Sequence, residues 1–119
     1  MKIALSSAGF SEYSLVSSSL GKCPNFIIYD YETKKFELLE NIVRHEDKSN
    51  GPKAIRYLKE QGIDALITWH IGLNAYNQAQ ISKIPVYLCT QGEIIRDAVY
   101  KYYNKELMFL ESEELINSH

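Results

Sequence analysis

Cysteine is scarce in this chain of 119 residues: only Cys23 and Cys89 are present, and no Cys-x-x-Cys pair exists. That excludes a zinc ribbon or a thioredoxin-type centre and gives no disulfide framework of the kind small secreted domains use. Long apolar runs are missing, so no segment reads as membrane-spanning. Neither charge sign prevails: 13 Lys and Arg stand against 15 Asp and Glu, for a net charge of -2 at pH 7. No overall basic face therefore invites nucleic acid. The phosphate-binding loop, the Gly-x-Gly-x-x-Gly dinucleotide fingerprint and the Gly-x-Ser-x-Gly elbow are all absent. Asp30, Asp64 and Asp97 are isolated acids, whereas a two-metal nuclease needs clustered carboxylates.

What is there reads as an ordinary soluble domain, 45% apolar and 24% charged, long enough to bury a core. The N-terminus runs straight into Lys2-Ile3-Ala4-Leu5, too short for a secretory apolar region, so a cytoplasmic protein is expected. Lys2 to Ser6 reads as a strand, turned at Ser7-Ala8-Gly9. Residues 10–25 read as a serine-rich loop. Two β-prone runs, Phe26 to Asp30 and Phe36 to Glu40, flank a short polar link and predict a hairpin. Residues 41–50 are charged, without periodicity, and read as an exposed loop. A helix is expected from Asn50-Gly51-Pro52, with Ala54, Ile55 and Leu58 as its stripe and Gly62 as its stop. Ile63 to Thr68 is the next strand, Gly72 to Ser82 a helix with Ala75, Tyr76 and Ala79 inward, and Ile84 to Leu88 a strand. Thr90 and Glu93 have the spacing of a capping box before a helix striped by Ile94, Ile95, Ala98, Val99 and Tyr102. Leu107 to Leu110 is a candidate terminal strand. The expectation is one α/β domain over residues 1–110 with a frayed tail, 111–119. Its mixed five-stranded sheet joins an antiparallel hairpin to parallel strands, with helices on both faces.

In such a sheet the carboxyl ends of the parallel strands share one rim, and ligands gather there. That rim would collect Ser6, Ser7 and Gly9, then Trp69, His70 and Gly72, then Cys89, Thr90 and Gly92. Helix starts expected at Gly72 and Gln91 would turn their partial positive charge to the same place. The pattern favours an anionic ligand, with His70 as a donor or metal ligand; the plainer alternative is a hydrogen-bonded structural histidine. Cys89, after Val86-Tyr87-Leu88, reads as a small buried hydrophobe. Cys23 has two readings, a thiol activated by the neighbouring Lys22 or an incidental loop residue.

Several segments together resemble the dinitrogenase iron–molybdenum cofactor-binding family, the small domains related to NifX, NafY and the C-terminal part of NifB. They are Met1 to Ser7, Gly21-Lys22-Cys23-Pro24-Asn25-Phe26, Gly51, Ile71-Gly72-Leu73-Asn74-Ala75, and the Val86-Tyr87-Leu88 strand with its Glu93 helix start. Residues 1–106 carry the resemblance. It implies a ribonuclease H-like fold without nuclease activity, and non-catalytic binding, storage or carriage of an anionic iron–sulfur, iron–molybdenum or thiomolybdate cluster. A donor or acceptor protein would be the partner. His70 lies at the place of a ligand candidate, with Cys23 as the alternative; Ser6, Ser7, Gly9, Lys22, Trp69, Gly72, Asn74, Thr90 and Gly92 complete the expected site. Arg44 and His45 are further candidates to balance charge. Trp69 stands where the family usually carries glycine. A metal-free module binding a small anion or a protein at the same rim is the alternative.

Overall fold

The computed structural model describes residues 1–112. In chain order it contains β1 (Lys2–Ser7), β2 (Asn25–Asp30), β3 (Lys35–Glu40), a 3-10 turn (Ile42–His45), α1 (Asn50–Glu60), β4 (Ala65–Thr68), α2 (Leu73–Ile81), β5 (Val86–Leu88), α3 (Ile95–Tyr103) and β6 (Met108–Phe109). One sheet of six strands has the order β3-β2-β1-β4-β5-β6. The expected count of five is thus corrected by β6, which pairs antiparallel with β5 through Tyr87–Phe109 and Leu88–Met108. The expected frayed tail falls largely on residues 113–119, outside the described residues.

The hairpin forms as the sequence indicates. β2 and β3 pair antiparallel from Asn25–Glu40 to Asp30–Lys35. Asp30 organises the link: its carboxylate accepts from the Glu32 N–H at 2.9 Å and its carbonyl from the Lys34 N–H at 2.8 Å, the local bonding that makes aspartate a turn former. β1, β4 and β5 run parallel, so Ser7, Thr68 and Leu88 end at one rim. Asp64 lies at the opposite end, where its carboxylate accepts from the Lys2 N–H at 2.8 Å.

Alternate residues of each strand serve opposite faces, as the pleat requires. Ala4, Phe26, Ile28, Leu66 and Val86 pack under α1 and α2, against Ala54, Ile55, Leu58, Ala75, Tyr76 and Ala79. Ile3, Leu5, Ile27, Ala65 and Ile67 pack under α3, against Ile95, Ala98 and Val99. α1 and α2 approach closely at their starts. A Cβ on Gly51 would lie 3.0 Å from the Ala75 Cβ, so the missing side chain lets the two N-termini sit side by side.

One expectation about the other face is corrected and one is refined. Residues 10–25 form a loop up to the start of β2, and its central part is a strap across the top of the molecule. It bridges β1 through Ser7–Val16 and the start of α3 through Leu15–Ile94, and Val16 is buried. The capping box does not open a helix at Thr90. The Glu93 N–H donates to the Thr90 carbonyl in a turn, 3.2 Å, and α3 begins at Ile95. Its first amides are taken by the strap: the Ile95 N–H donates to the Ser14 carbonyl and the Arg96 N–H to that of Glu12, at 2.9 and 2.8 Å.

Candidate functional site

The β4–α2 junction turns through Trp69-His70-Ile71-Gly72, and its consecutive aromatic residues diverge. Trp69 packs against the cluster under α3 and lines a recess with Leu88, Cys89, Thr90, Glu93 and Lys101. His70 is exposed and faces the α1–α2 side, its ring centroid 6.3 Å from that of Trp69. Trp69 does not line the histidine recess.

That second recess, about 440 Å³, is lined by Ser18, Ser19 and Gly21 from the strap side, Gly51 and Pro52 from the start of α1, and His70 through Ala75. Two helix N-termini converge on it, and neither makes a side-chain cap bond. Unpaired N–H groups and aligned peptide dipoles make such ends receptive to anions. Gly72 is the N-cap of α2, with extended angles of -79° and 162° that any residue adopts. A Cβ there would meet nothing within 4 Å. The backbone does not demand glycine at this position; its effect is to leave space.

Other expected residues lie elsewhere. Ser6 is fully buried, bonded to the Ser17 carbonyl and the Thr68 hydroxyl, both at 2.8 Å. The Ser7 hydroxyl closes a turn with Gly9, accepting from its N–H at 3.1 Å. Lys22 sits with Phe10, Pro24, Asn25, Leu38, Glu40 and Arg44 in a third recess, its ammonium 3.4 Å from the Glu46 carbonyl. Arg44 is held by the Pro24 carbonyl at 2.7 Å and stacks no charge onto the His70 recess. Thr90 belongs to the Trp69 recess. Gly92 has a φ of 88° and serves its turn, since only glycine enters that region without strain. His70, Gly72 and Asn74 are the expected residues that share one recess.

The activated-thiol reading of Cys23 is corrected. The side chain is 2% exposed, and burial pushes its thiol up to about 11. Cys89 is likewise raised to about 12, first by burial and then by the Glu93 charge. Burial thus opposes formation of the thiolate, which is the ligand and nucleophile. Among the described residues no group of three His, Cys, Asp or Glu side chains is arranged to hold a metal ion.

Asn41 carries no sequence signal, yet it holds one wall. It is fully buried, and its amide lies 3.3, 3.3 and 3.0 Å from the carbonyls of Leu20, Gly21 and Cys23. Gly21 is fixed from the other side, where a Cβ would meet Asn50 and Gly51 atoms at 2.4 to 2.7 Å.

The sequence profile of the dinitrogenase iron-molybdenum cofactor family matches residues 1–105. The chain belongs to that family. Among solved structures, the apo form of the orange protein from Desulfovibrio gigas superposes with a TM-score of 0.87 at 23% identity, covering 93% of each chain. A Thermotoga protein assigned to NifB gives a TM-score of 0.79 at 28% identity, covering 93% of this chain and 94% of that one. No curated protein sequence matches. Ile71 through Ala75, within the matched residues, form the α2 wall of the recess.

Proposed function

We propose that this member of the dinitrogenase iron-molybdenum cofactor family binds a preassembled anionic metal–sulfur cluster and carries it without catalysing a reaction. The cargo class is iron–sulfur, iron–molybdenum or thiomolybdate, on a ribonuclease H-like scaffold in the cytoplasm, with a donor or acceptor protein as partner. The observation that carries the reading is the meeting of the α1 and α2 starts around the open Gly72 and the exposed His70. Each uncapped helix start stabilises a nearby negative charge by about 0.3–1 kcal/mol. His70 supplies one imidazole, a donor suited to iron and related metals.

The donor set argues for the form of the cargo. A bare cation needs several ligands from the protein, and among the described residues His70 is the one such side chain lining this recess. A cluster that arrives with its own sulfides needs one protein ligand and N–H donors, which this recess offers. Ser18, Ser19 and Asn74 add polar edges.

Titration with tetrathiomolybdate in the absence of oxygen tests the reading. The wild-type chain is expected to take up about one equivalent, with a change in the visible spectrum. His70→Ala is expected to bind about tenfold more weakly, within the loss typical of a removed metal-site contact. Gly72→Val should block the recess while leaving the fold intact. Wild-type protein that stays colourless and metal-free, after this titration and after reconstitution with iron and sulfide, removes the proposal. Phosphate or sulfate binding without any response to thiometallates is the outcome that favours the metal-free anion module.

A further inference from the structure

Near the carboxyl ends of β1 and β4 lie two hydroxyl residues, Ser6 and Thr68, both fully buried. Their oxygens are 2.8 Å apart. The Ser6 oxygen is 2.8 Å from the Ser17 carbonyl; the Thr68 oxygen is 3.2 Å from the same carbonyl and 3.1 Å from that of His70. Ser17 leads directly into Ser18 and Ser19 on one wall, and His70 leads into Ile71-Gly72 on the other.

The 2.8 Å contact between the hydroxyls takes one of their two protons: with Ser6 donating to Thr68, Thr68 donates to the His70 carbonyl, and the His70 turn is tied through the pair to both central strands. Loss of a hydroxyl leaves a carbonyl short of its donor and frees a wall to seek another partner. Sites lose affinity when the groups that position them loosen.

We infer that Thr68, supported by Ser6, is the positioning residue of the cluster-binding recess: it sets the His70 turn against the strap without touching the cargo. The inference rests on the proposed cluster reading. It deepens that reading by assigning affinity to a buried pair distant in sequence from the strap it holds.

Four variants test it by tetrathiomolybdate titration at a temperature where circular dichroism shows each to be folded. Thr68→Val keeps the branched shape and removes the hydroxyl; it is expected to bind at least tenfold more weakly. Thr68→Ser keeps the hydroxyl and should bind within twofold of wild type. Ser6→Ala should weaken binding about three- to tenfold. Ile28→Val, in the core under α1 and α2, lowers stability and should leave affinity unchanged, which separates positioning from a general loss of stability. If Thr68→Val does not fold, Ser6→Ala and Thr68→Ser decide. Folded Thr68→Val or Ser6→Ala with wild-type affinity overturns the inference, as does Thr68→Ser binding as weakly as Thr68→Val. A wild-type chain that binds nothing is a different failure and removes the cluster reading itself.

Discussion

Glycines show how one residue type serves two ends in this chain. Gly21 is needed by the fold, because any Cβ would press on Asn50 and the Gly51 backbone at 2.4 to 2.7 Å. Gly72 has an unstrained backbone and open surroundings, so its fold requirement is small. Gly21→Ala is expected to lower stability by about 1–3 kcal/mol, the usual range for overpacking. Gly72→Ala should shift it by less than about 0.5 kcal/mol, as surface substitutions do. Thermal denaturation of the two variants makes the comparison. Both glycines belong to segments that resemble the family in sequence, and only their surroundings tell a packing role from an open one.

Elements explain why the site lies on one side of the sheet. Three helices follow strands along the chain, and their starts differ in what they meet. The strap spends its Glu12 and Ser14 carbonyls on the first amides of α3, which closes that end. The starts of α1 and α2 have no such cover. Added molybdate or phosphate should therefore move the amide resonances of Gly51, Lys53 and residues 72–75 and leave those of 95–97 in place. Equal shifts at α3 would refute this assignment of the open ends. Serine-rich composition without periodicity gives a loop, and a loop stitched to two elements by backbone bonds has the same composition as a slack one.

At the scale of the whole molecule, both thiols lie in the packed interior, and this couples stability to pH. Burial pushes the Cys23 thiol up to about 11 and, with the Glu93 charge, Cys89 up to about 12, against an ordinary value of 9.0. A thiol held protonated by burial adds stability that is complete below the unfolded value, and that stability is lost as pH rises through the folded one. The urea midpoint should be level between about pH 7 and 8.5 and fall above about pH 9. Tyr103, pushed up to about 12 chiefly by desolvation, deepens the fall above pH 10, its ordinary value. Cys23→Ala should flatten the first part of the decline; a midpoint independent of pH from 8 to 11 would contradict the buried-thiol account.

Local patterns determined the hairpin, the three helices and the parallel strands, because alternation, helical stripes, Pro52 and Gly62 act over a few residues. They also marked Ile71 through Ala75 as the likeness to the family and His70 as its ligand candidate. They misplaced the start of α3, since Thr90 and Glu93 have capping spacing whether or not a helix follows at once. Only the tertiary structure decided which candidates share a recess. Trp69 and His70 are neighbours in the chain yet line different recesses, Cys23 is buried beside a charged neighbour, and Ser6 meets Thr68 across two strands. These are contacts between segments far apart in sequence, and packing sets them where no short-range pattern reaches.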